Sequence, residues 1–168
     1  MDNDVTIMRP NWADLLEEAL NRDATLGILG LKRKDLAECP WGTGTMKSTL
    51  RMLPHEAGQR WQVVEEVEHV MGTCQAYSSA LLDKIGYLYQ MQDEGNLYGF
   101  DDSLASHRAR LAGFKRAFLH GIEIDHIDPG GDEATQAKQK SAGKWFARYD
   151  QVVLEYEMGT RSLYYADL

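Results

Sequence analysis

The chain is poor in covalent staples and breakers. It has two cysteines and four prolines in 168 residues, which excludes a disulfide-framed secreted module and a proline-rich linker. Cys39 and Cys74 are the only thiols, and Cys74 falls in an apolar pattern where sulfur acts as a small hydrophobe. No run of about 18 apolar residues is present, so no span of a bilayer is expected. The opening Met1-Asp2-Asn3-Asp4 lacks the basic and apolar regions of a signal peptide. A reduced, cytoplasmic protein is the expectation. Positive charge is scarce too. Lys and Arg total 18 against 26 Asp and Glu, giving a net charge of −8, with the excess spread over both halves. This argues against broad binding to DNA or membranes and leaves room only for a local basic patch. No internal repeat or low-complexity segment appears.

What the chain does have is apolar patterning, 43% of residues, and enough length to bury one core. From Gln59 to Asp93 a heptad places Val64, Met71, Ser78 and Ile85 on one row. Val67, Cys74, Leu81 and Leu88 occupy its neighbour, and only Ser78 interrupts. The spacing predicts one long helix over 59–93. Around it we expect a helix over 12–23 opened by Asn11, an irregular insert with short helices over 24–58, a helix over 103–120 capped by Ser103, and another over 132–158. An aromatic tail over 160–168 follows. The predicted fold is a single all-α domain, an antiparallel helical bundle with coiled-coil character built on that long heptad-patterned helix.

Several motifs carry candidate chemistry. Glu66 to His69 and Glu123 to His126 have the Glu-x-x-His spacing of di-iron bundles, but in the heptad register the first pair points away from the seam. His120, Glu123, Asp125, His126 and Asp128 are five potential ligands within nine residues, a set a loop could fold around one divalent ion. Gly42-Thr43-Gly44-Thr45-Met46-Lys47-Ser48 resembles a phosphate loop except that Met46 stands where glycine is needed before Lys-Ser. No cofactor is required by any motif.

Residues 32–51 hold five basic and two acidic side chains. Lys32, Arg33, Lys34, Lys47 and Arg51 could serve a helix-turn-helix-like DNA-binding regulator, with Met46–Leu53 as the helix in the groove. Against it, the turn from Cys39 to Thr45 is long. No nucleophile has an activating neighbour in sequence, so a non-catalytic protein is favoured over an enzyme. Trp41, Tyr87, Tyr98, Phe100, Tyr164 and Tyr165 lie off the seam, and tyrosine and tryptophan anchor interfaces. The first functional expectation is therefore a macromolecule-binding or assembly protein. Its partner is another protein or a second copy of itself, bound through exposed aromatic and acidic surfaces as an adaptor or inhibitor would bind. DNA binding is the second reading and the single metal site the third.

Overall fold

The computed structural model describes residues 5–34, 48–88, 100–127 and 146–165. Within them the chain is organised by strands. Leu26-Gly27-Ile28-Leu29-Gly30-Leu31 is buried throughout, the continuous apolar run of a strand covered on both faces. It forms β2 (Leu26–Arg33), which runs parallel to a twelve-residue strand over Lys115–His126. That long strand is β6 in chain order and has neighbours along both edges. Opposite β2, its first half pairs antiparallel with β4 (Val63–Val67) and its second half with β1 (Val5–Ile7). β3 (Thr49–Met52) extends the sheet beyond β4, and β5 (Gln75–Tyr77) extends it beyond β2. The order is β3-β4-β6-β2-β5, with β1 on β6. The register between β2 and β6 shifts after Gly30, and Gly121 at φ +84° absorbs the extra residues in β6.

Helices cover the two faces. On one, α1 (Trp12–Arg22) places Leu15, Leu16 and Ala19 over Leu29, Leu31, Leu53, Val64, Leu119, Ile122 and Ile124. On the other, α2 (Ser79–Ile85) and α3 (Asp101–Leu111) set Leu81, Ile85, Ala105 and Ala109 against Ile28, Val67, Val70 and Phe118. A further helix over residues 146–157, α4, packs Val152 and Tyr156 on Leu104 together with Leu163 and Tyr165. Each fully buried Leu or Ile contributes about 1.5–3 kcal/mol.

The six-stranded mixed sheet overturns the all-α, helical-bundle and coiled-coil expectation. The supposed long helix is instead β4, β5 and the short α2. Val64 and Val67, which looked like one helical stripe, point to opposite faces of the sheet: Val64 meets the α1 side and Val67 the α2 and α3 side. Both are buried, so the spacing of three is satisfied for a different reason. Ser78, the interruption of the heptad, is the N-cap of α2, its Oγ accepting from the Leu81 amide at 3.3 Å. The irregular insert contains β2, the central parallel strand. The helix expected over 103–120 stops at Leu111, and Gly113 at φ +86° turns the chain into β6. Residues 128–145, half of the predicted fourth helix, lie outside the described residues.

One side chain holds the helical layer together. Arg108 is fully buried, and its guanidinium donates to three backbone carbonyls. Nη1 reaches Tyr87 at 3.0 Å, Nε reaches Leu163 at 3.0 Å, and Nη2 bonds Ile85 and Leu163. The cation also lies 5.9 Å from the Tyr156 ring centroid. Beside it the end of α2 and the C-terminal tail exchange backbone bonds, Tyr87 N to Tyr165 O and Tyr165 N to Ile85 O, both at 2.8 Å. Gly86 permits that approach, since a Cβ there would overlap the Tyr165 carbonyl. Arg108→Met keeps most of the volume and takes the guanidinium donors from the Tyr87 and Leu163 carbonyls, while the Ile85 carbonyl keeps the Tyr165 amide. Urea unfolding should show a loss of about 3 kcal/mol or more, and hydrogen exchange should show the Tyr87 and Tyr165 amides losing protection first. Retained protection of both would remove Arg108 from this role.

Candidate functional site

Two surfaces stand out. The first is the β3 end of the sheet. In the β3–β4 register Arg51 faces Val64 and Met52 faces Val63, and the Leu53 amide continues to the Gln62 carbonyl at 2.9 Å. Alternation then turns Arg51, Leu53 and Val64 toward the α1 side and Leu50, Met52, Trp61 and Val63 toward the other. No described helix covers that other side at this end. Leu50 is 61% exposed, Met52 54% and Trp61 61%. Trp61 is held flat against His55, ring centroids 3.5 Å apart. A smaller hollow of about 610 Å³ opens at the opposite end, where Trp12, Leu16 and Leu20 of α1 border Ala76 and Tyr77 of the edge strand β5.

The second surface is a polar cleft of about 680 Å³. It is lined by Glu68 and His69 after β4, by Ser103, Ser106, His107 and Arg110 of α3, by Arg116 of β6 and by Tyr149 of α4. Asp102 secures its floor. One carboxylate oxygen accepts from the Gly72 amide at 3.0 Å and lies 3.4 Å from His69 Nε2; the other accepts from the Ser103 amide at 2.7 Å. Burial pushes the Asp102 carboxyl up, but the His69 bond and charge with the two amides outweigh it and hold it below 3.8. Ser103 Oγ lies 3.4 Å from the same His69 Nε2 and also donates to Asp102. A hydrolytic relay needs the carboxylate on one imidazole nitrogen and the nucleophile on the other. Here both meet Nε2, so the group clamps the β4–β5 connection to the start of α3.

The residues singled out in the sequence are dispersed. Trp41, Tyr98, Lys47 and Asp128 lie outside the described residues. Phe100 packs against Phe146 and Tyr149, and Tyr165 joins the Leu104 cluster, so both close the end of a core. Tyr87 and Tyr164 are exposed. Lys32 and Arg33 belong to β2 and Arg51 to β3, so no helix-turn-helix forms from them. Lys32 pairs with Glu65 and Lys34 with Asp125, each at 3.0 Å, while Arg51 pairs with Asp23 and Glu66. These cations face carboxylates of their own chain. His120, Glu123, Asp125 and His126 sit on strand β6, not in a loop, and alternation sends Glu123 and Asp125 away from the side His126 takes. Among the described residues no three potential ligands come close enough to hold a metal. None of the described helices is long and apolar enough to cross a membrane.

The cleft went unread because its residues come from four elements, and only the Asp101-Asp102-Ser103 run marked a helix start. Leu50 and Met52 alternate on β3, where the helix-turn-helix reading of Met46–Leu53 expected a helix, and Trp61 fell inside the heptad-patterned stretch. Comparison with protein-family models, with curated proteins and with solved structures returns no match.

The depressed Asp102 carboxyl makes a prediction about acid stability. Its contribution is fully present above the unfolded value near 3.8 and is lost as pH falls through the lower folded value. Asp102→Asn should cost about 1–3 kcal/mol at neutral pH and should flatten the fall of stability below pH 4, as followed by urea titrations across pH. An acid slope identical to the parent's would refute the assignment.

Proposed function

We propose that the protein is a non-catalytic protein-binding or assembly module whose partner docks on the β3–β4 face that none of the described helices covers. The observation that carries this reading is the grouping of Leu50, Met52 and Trp61, each more than half exposed, on one side of an edge strand. Burying one such side chain against a partner is worth about 1.5–3 kcal/mol, so the trio is a strong incentive for association. β3 also stands at the end of the sheet order, where a partner strand can add by backbone pairing while its apolar side chains cover the trio. The pairing of Lys32, Lys34 and Arg51 with carboxylates favours a protein over nucleic acid as the partner.

The test is solution mass by light scattering at about 0.1 and about 0.5 M salt, for the protein alone and as it purifies from its host, against a Leu50→Ser/Met52→Ser double variant. The parent should form a species larger than 19.0 kDa that persists at both salt concentrations. The double variant should bind at least tenfold more weakly, a change of about 1.4 kcal/mol, with its circular dichroism unchanged. A parent at monomer mass throughout, a double variant that associates like the parent, or a salt-sensitive complex with duplex DNA would overturn the reading.

A further inference from the structure

The polar cleft carries a separate inference that does not depend on the protein-binding reading. Arg116 uses Nε and Nη2 on the Glu68 carbonyl, at 3.3 and 3.2 Å, and Nη1 on the Phe114 carbonyl at 3.2 Å. Carbonyl oxygens satisfy N–H donors without cancelling the charge. Among the described residues no carboxylate is paired with this guanidinium. Arg110 lines the same hollow and is paired with Glu157 of α4. His107 stands near both. Its Nε2 is buried at 3.4 Å from Glu157 Oε1 without the alignment of a hydrogen bond.

These cations repel one another. Burial first, then the Arg110 and Arg116 charges, hold the His107 imidazole below its ordinary value against the pull of Glu157. Burial and Arg110 likewise lower Arg116, opposed by Glu68 and Glu66. The other groups facing the hollow are Ser103, Ser106 and Tyr149 as hydroxyls, the exposed Glu68, and His69 with its charge partner Asp102. The result is a recess with two guanidiniums, two imidazoles and three hydroxyls. Its carboxylates are either committed to a partner or turned to solvent.

We propose that this cleft binds the phosphate group of a small phosphorylated molecule, with Arg116 and Arg110 as its charge partners and His107, Ser103 and Tyr149 donating to its oxygens. A carboxylate would satisfy one guanidinium, whereas a phosphate has the oxygens and the charge to engage both and the imidazole together. A volume of about 680 Å³ leaves room for the rest of such a molecule. Glu157 competes with the phosphate for Arg110.

The experiment follows the His107 imidazole resonances of the full chain by NMR while inorganic phosphate, and in a second arm phenyl phosphate, is titrated in. Saturable shifts with a dissociation constant of about 1 mM or tighter, and a His107 pKa that rises with occupancy, are expected. Arg116→Gln should weaken binding at least tenfold. Because Arg116 also braces the Glu68 backbone, a second variant protects the test from misfolding. Glu157→Gln frees Arg110 and should tighten binding. Tighter binding of the ester assigns the site to an organophosphate, and equal binding assigns it to the free ion; both uphold the phosphate site. A His107 that does not respond, shifts that never saturate, or Glu157→Gln binding no tighter than the parent would overturn it.

Discussion

The buried Arg108 guanidinium is the interaction on which the α2, α3 and α4 side of the molecule depends. α3 rests on the sheet through small residues, Ala105 and Ala109, which allow close approach and supply little area of their own. The charged fork between them and the C-terminal tail fixes where α3 sits, because three carbonyls from two other segments must all find donors at once. A buried cation without a carboxylate is costly, and the cost is offset only while every carbonyl stays in place. That makes the arrangement specific. α3 then delivers Asp102, Ser103, Ser106, His107 and Arg110 to one side of the cleft, while Arg116 and His69 arrive from the sheet.

The same geometry explains what could be seen in the sequence. α1 was legible because Leu15, Leu16 and Ala19 form a short, self-contained stripe and Pro10-Asn11 opens it. The sheet was not. Val64, Val67 and Val70 have helical spacing, yet one faces α1 and the other two face α2 and α3, a distinction that periodicity cannot make when both faces of a strand are buried. Leu26 to Leu31 gave an apolar run with no period at all. The β-branched content of Val63-Val64 and the glycines Gly27 and Gly30 were the available signs of strand. The end expected at 120 for the third helix falls beside Gly121, whose positive φ belongs to a bulge within β6. The cleft shows the limit most plainly. Its residues run from Glu68 to Tyr149 in sequence, and the turn at Gly113 brings Arg116 of β6 to the same cleft as Arg110 of α3.

Charge is distributed with the same economy. In a protein of net charge −8, the sheet uses its cations internally: Arg51 bridges Asp23 and Glu66, Lys115 also reaches Glu66, and Lys32 holds Glu65. These pairs neutralise the carboxylates that the edge strands would otherwise gather, and the Arg51 pairs fasten β3 to α1 and β4. Arg116, by contrast, is satisfied by the Glu68 and Phe114 carbonyls, and no carboxylate is paired with it among the described residues.

The apolar end of the sheet is the complementary case, and it sharpens the argument about partners. Edge strands are commonly protected by charge, by proline or by brevity. β3 has the brevity, and Pro54 follows it, but its one charged residue, Arg51, turns inward to Asp23 and Glu66. The outward positions are Leu50 and Met52, and the nearby Trp61 is stacked on His55 rather than folded into the core. The energetic cost of showing these side chains to water falls on a strand already fastened by ion pairs on its other face. Such a strand can hold a sticky surface open without coming loose. The exposed apolar side of β3 is thus backed by ion pairs on its other side, which tie the strand to the end of α1 and to β4.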